Sequence, residues 1–207
     1  LIDLLGDDTS IHKNYKKVLK SLPSPSGAIV LYAALSRALL PKECPSHLQI
    51  QETDLNSLFL SISSDNDGRA PVGEATLIAS VFVNTSDWIT LKQDIYNQKK
   101  QYYMRKILDQ IEISLKIPSE SWLHAELATP RTFQYWTGRP NGIVGGLGQS
   151  PSNFGPFGLP SRTPFQGLWL CGDSIYPGEG TAGVSQSALM VCKQLLATKG
   201  FELSIPL

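Results

Sequence analysis

Between Gly138 and Gly167 the chain holds eight glycines and five prolines in 30 residues, a density that excludes regular helices and strands. Glycine at this density implies backbone that turns tightly or approaches something closely. It also divides the chain. Periodic apolar segments precede it, and a short apolar run followed by one amphipathic helix comes after it. By length the chain could form one large domain or two small ones.

At 207 residues and 42% hydrophobic content the chain can bury a substantial core. Lys plus Arg equals Asp plus Glu at 18 each, so overall charge favours neither nucleic acid nor an acidic partner. Cys44, Cys171 and Cys192 are odd in number and lack C-x-x-C spacing, which fits a reduced compartment with buried thiols acting as small apolar residues. The longest apolar stretch, Gly27 to Leu40, is too short for a membrane span and carries Arg37. The chain opens Leu1-Ile2-Asp3 without initiator Met, basic leader or cleavage-like site, and reads as part of a longer polypeptide.

Ile11, Tyr15, Val18, Leu19 and Leu22 predict a helix over residues 10–22 with Ser10 as N-cap, ended by Pro23-Ser-Pro-Ser-Gly27. Ala28 to Ala34 reads as a buried strand, followed by a helix or turn over 35–40. Two more strands are predicted over Leu55–Ser63 and Glu74–Val83. Asp65-Asn-Asp-Gly68 between them is turn chemistry rather than a calcium loop, since no glutamate stands at the twelfth position. From Asp87 to Lys116 the pattern is one long helix, with Leu91, Ile95, Tyr102, Leu108, Ile111 and Leu115 on one side. Its lysines and arginine beside Tyr102 and Tyr103 read as a solvated face.

The chemistry concentrates near the C-terminus. Gly167 to Cys171 reads as a strand that ends in Gly172-Asp173, and a helix follows with Ser185, Ala188, Leu189, Cys192, Leu195 and Leu196 as its stripe. Thr181 is the expected cap and Gly200 the stop. Gly178-Glu-Gly180-Thr-Ala-Gly183 matches G-x-G-x-x-G, with Glu202 19 residues beyond. In that dinucleotide fingerprint the first glycine follows the strand directly, whereas Gly172 to Pro177 intervene here. What remains is an acidic residue, a Pro-Gly turn and a helix N-terminus with unpaired N–H groups.

Arg162-Thr-Pro-Phe-Gln-Gly-Leu-Trp-Leu-Cys-Gly-Asp173 and Pro177-Gly-Glu-Gly-Thr-Ala-Gly-Val-Ser185 resemble the C-terminal flavin-binding motif of the carotenoid desaturase and isomerase family of amine-oxidase-like flavoproteins. The pattern is most similar to cyanobacterial C-3',4' desaturases, and Pro25 to Ile29, Thr129 to Phe133 and Pro140 to Gly142 look like family segments too. The resemblance implies an α/β fold: an α+β portion of a substrate domain over 1–135 and, over 136–207, the C-terminal part of an FAD-binding domain of the glutathione-reductase type. It implies FAD as cofactor, bound by Gly172, Asp173, Gly178, Gly180, Thr181, Ala182, Gly183 and Val184. Asp173 would take the ribityl chain, and the 180–184 backbone would face the pyrimidine side of the isoalloxazine. The substrate would be a carotenoid polyene, desaturated by hydride transfer or isomerised, with no obligatory protein acid or base. Tyr135 and Trp136 would either line the tunnel near the flavin or pack in a core. A cytoplasmic protein in peripheral contact with a membrane is implied by the insoluble substrate.

The departure from the family is the G-x-G-x-x-G of the N-terminal ADP-binding βαβ, which residues 1–30 lack. The pattern then implies an N-terminal partner or region, or else a fragment or interaction subunit without catalysis. His12, His47 and His124 have no metal spacing, and Gly183-Val-Ser-Gln-Ser187 lacks the last glycine of a nucleophile elbow.

Overall fold

The computed structural model describes residues 10–203, apart from 24, 53, 54, 66, 149 and 154–156. They fall into two compact units: Ser26–Val144, and a second that combines the segment up to Pro25 with the segment from Gly145 onward. The chain is mixed α/β with one antiparallel sheet.

The first unit is built on that sheet, β1 (Gly27–Ser36), β2 (His47–Glu52), β3 (Asn56–Ile62), β4 (Glu74–Val83) and β5 (Trp122–Ala128), in the order β2-β3-β4-β1-β5. Every neighbouring pair is antiparallel, with Leu31 opposite Ala79 and Leu127, and Leu60 opposite Ala79. Strand alternation sends Ile29, Leu31 and Leu35, Leu58 and Leu60, Leu77 and Ala79, and Leu127 to one buried face. That face packs with Ile107, Leu108, Ile111 and Leu115 of a long helix in one core. Tyr32, Phe59, Ile78 and Phe82 point to the other face and stay exposed.

Strands over Leu55–Ser63 and Glu74–Val83 form as expected, joined by a turn in which Asp67 accepts from the Ser64 and Arg69 amides. Strands β2 and β5 are additional to those that the sequence predicts. In β2, Leu48 and Ile50 lean on the core between outward glutamines, a period-2 signal present in the sequence. The one long helix is two: α2 (Ser86–Ile89) and α3 (Gln93–Leu115). The buried side of α3 is Tyr96, Ile107, Leu108, Ile111 and Leu115, while Ile95 and Tyr102 face solvent.

The break has a tertiary cause. Arg131 lies on α4 (Pro130–Thr137) and its guanidinium donates to the carbonyls of Trp88 (3.1 Å), Ile89 (3.2 Å) and Leu91, carbonyls that a continuous helix would spend internally. The same guanidinium stands 4.3 Å over the Tyr96 ring. Thr129 before α4 is fully buried, with its hydroxyl 2.9 Å from the Tyr96 hydroxyl. Tyr135 and Trp136 are 78% and 77% exposed and stack edge to face on each other, which corrects the core-packing alternative.

The second unit contains α1 (Ser10–Ser21) and α5 (Gly180–Ala197) with the glycine-rich connection. Tyr15 is buried edge-on against Phe165 and Val18 is exposed; the side chains of Ser10, Ile11 and His12 lie outside the described ones. The expected strand over 167–171 is absent among the described residues. Arg162 and Trp169 make one isolated bridge, and the Leu170 amide donates to the Ser161 carbonyl (2.8 Å). A strand takes its hydrogen bonds from neighbours, and this unit's described residues contain no other strand. No helix among the described residues is long and apolar enough to cross a membrane.

Candidate functional site

The sequence motif becomes a compact knot of backbone around the start of α5. Gly172 has φ 118°, Gly178 φ 117° and Gly180 φ 83°, all in the region that disfavours side chains. The peptide bond between Tyr176 and Pro177 is cis. Ile175 is buried beneath the turn, whereas Gly180, Thr181 and Ala182 are exposed on the first turn of α5.

Two glycines are fixed by close approach. A Cβ on Gly183 would stand 2.5 Å from the Gly178 carbonyl oxygen, and one on Gly146 would stand 2.0 Å from that of Asp173. Backbone cannot yield there as a flexible side chain would. By contrast, a Cβ on Gly172 or Gly180 would meet nothing within 4 Å, so the outer side of the turn is open. Helix α5 grips the turn from behind: Ser187, fully buried, accepts from the Gly172 amide (3.2 Å). The Asp173 carboxylate accepts from the Ser174 hydroxyl (3.3 Å).

The N-cap of α5 is Glu179, not Thr181, which sits inside the first turn. Glu179 makes no side-chain cap and accepts instead from the Gly146 amide (2.9 Å). The apolar stripe also differs from expectation. Ser187 is the buried position of α5, while Ser185, Ala188, Leu189, Cys192 and Leu195 are exposed and only Leu196 is half-buried. Cys171 and Cys192 are thus exposed thiols rather than core residues, and Cys44 is half-buried.

The eight expected flavin residues therefore lie together on one turn and its helix, from Gly172 to Val184. Gly145, Gly146, Glu179 and Ser187 join them in space; the glycine pair was a visible signal, and the serine carried none. A cleft of about 410 Å³ lined by Arg162, Trp169, Leu195 and Lys199 belongs to the opposite end of α5. The two described histidine side chains do not converge: His47 stacks on Phe59 at one edge strand, and His124 faces Glu126 at the other.

No protein-family model matches the chain. Prolycopene isomerases do. The chloroplastic enzyme of Daucus carota is 28% identical over 94% of this chain. That of Arabidopsis thaliana is 29% identical over 92%, and prolycopene isomerase 2 of the Oncidium hybrid cultivar is 29% identical over 94%. The chain is thus similar to prolycopene isomerases over nearly its whole length. It spans about one third of the length of these relatives, covering 33–34% of each. The likeness runs through both units, so the family resemblance extends beyond the glycine-rich motif.

Proposed function

We propose that the chain is the C-terminal part of an FAD-dependent carotenoid-processing enzyme, and that its reaction is cis–trans isomerisation of a polyene. The observation that carries the reading is the turn from Gly172 to Gly183: its inner side is packed backbone on backbone while its outer side is open. Such a surface fits a flat ring laid against the chain. The relatives' names favour isomerisation, and they are the reason to rank it above the desaturation implied by the similarity to C-3',4' desaturases.

In this reading residues 136–207 contribute the ring end of the FAD site, through Gly172, Asp173, Gly178, Gly180, Thr181, Ala182, Gly183 and Val184. Asp173 accepts from ribityl hydroxyls. The first turn of α5 favours negative charge near it, through N–H groups that lack intrahelical partners. A flavin bound there would supply reversible redox chemistry, accepting hydride in a desaturation and ending in its starting oxidation state in an isomerisation. The ADP half would be held by an ADP-binding βαβ from a partner or another region. Residues 1–135 would supply part of the substrate domain, where the exposed Tyr32, Phe59, Ile78 and Phe82 offer apolar surface suited to a polyene. Peripheral membrane contact follows from that substrate's insolubility.

The test combines the chain with the ADP-binding part of a carotenoid isomerase and FAD, then supplies a poly-cis carotene. Isomerisation converts it at unchanged mass. Desaturation removes a hydride and a proton, so a product lighter by two hydrogens would establish the desaturase instead. Absence of any conversion would favour an interaction subunit without catalysis.

A further inference from the structure

We propose that Glu179 is a positioning residue for the flavin-ring end of the site, acting by reach rather than by charge. This rests on the FAD reading above. The Glu179 carboxylate Oε1 accepts from the Gly146 amide at 2.9 Å, and the Gly145 backbone packs so closely that an added Cβ would meet the carboxyl group at 2.6 Å. Gly146 in turn lies directly on the Asp173–Ser174 peptide, where a Cβ would be 2.0 Å from the Asp173 oxygen and 2.9 Å from the Ser174 nitrogen.

A chain of contacts therefore runs from the start of α5 through Glu179 to Gly146 and on to the backbone of Asp173. Ser187 completes the frame by holding the Gly172 amide from the third turn of the helix. Glu179 stands at the N-cap, the position from which a Ser, Thr, Asp or Asn side chain bonds the first amides of its own helix. It makes no such bond. Its side chain instead fastens a separate loop, and the ribityl-binding aspartate is fixed between that loop and α5.

Side-chain length separates this role from a charge effect. Glu179→Gln keeps an acceptor at the same reach, Glu179→Asp keeps the charge but is one methylene short, and Glu179→Ala has neither. Amide exchange at Gly146 reads the tie without any flavin. Riboflavin, which has the ring and ribityl chain but no ADP, reads the site by quenching of its fluorescence in the full chain. The expected pattern is wild-type Gly146 protection and riboflavin affinity in Glu179→Gln. In Glu179→Asp and Glu179→Ala, Gly146 exchange should be about tenfold faster and riboflavin about fivefold weaker, the loss of one hydrogen bond.

Equal Gly146 exchange in all four proteins would overturn the tie. Faster exchange with unchanged riboflavin binding would overturn the positioning role. Wild-type affinity in Glu179→Asp but not Glu179→Gln would show that charge is what matters, and overturn the claim. If wild type binds no riboflavin, the FAD reading fails and the positioning role with it, while Gly146 exchange still judges the tie by itself.

Discussion

At the level of single residues, the candidate site depends on atoms that are missing as much as on those present. Gly183→Ala and Gly146→Ala each place a methyl group against a backbone carbonyl. Each should destabilise the glycine-rich unit by about 1–3 kcal/mol, measured as a lower urea midpoint for α5 helicity. Ser187→Ala leaves the Gly172 amide without its acceptor; a loss of about 1 kcal/mol is expected, with faster exchange at Gly172. Asp67 gives a pH prediction. Hydrogen bonds from the Arg69 side chain and amide, with a smaller one from Ser64, lower its carboxyl pKa to about 2. A folded-state pKa below the unfolded one means that its contribution is complete above the ordinary carboxylate range and is lost as pH falls through about 2. Carboxyl chemical shifts should show that low midpoint, and Arg69→Ala should return it toward the ordinary value.

Among the elements, the strongest local signals in the sequence coincide with the observed structure. Helix α1, strands β1, β3 and β4, and α5 fall where periodicity and turn residues placed them. The α2–α3 break was invisible because no glycine or proline lies between Ser86 and Leu115; it follows from Arg131, some 40 positions further on. Arg131→Ala should cost about 2–3 kcal/mol, since charge-assisted bonds to several carbonyls are lost together. Arg131→Lys should recover little of it, because one ammonium cannot span the three carbonyls. Thermal unfolding of both variants checks this, and a wild-type midpoint for Arg131→Lys would refute the fork geometry. Strand β5 escaped because an edge strand with His124 and Glu126 exposed lacks the alternation of an interior one. The stripe of α5 departs from the period-based one because its apolar residues face outward, while the buried position is a serine paired to backbone.

Across the whole molecule, burial is unequal between the units. The sheet and α3 hold the main core, whereas Tyr15, Ile175 and Ser187 are the described buried side chains of the glycine-rich unit apart from glycine. Amide exchange should therefore show the highest protection in β1 and β4 and lower protection in α5, which opens locally. Equal protection in both would contradict this, and riboflavin should raise protection only near Gly172–Val184. Legible within short stretches of the chain are the composition class, the main periodic elements, the irregular stretch after Gly138, and a family resemblance that the similarity to prolycopene isomerases supports. Those features are encoded within a few neighbouring residues, where period and turn chemistry act. Tertiary structure alone decided where the long helix broke, which face of α5 was buried, and that Glu179 serves Gly146 rather than its own helix. Each of these is settled by a hydrogen bond between residues far apart in the chain, and no local pattern records such a partner.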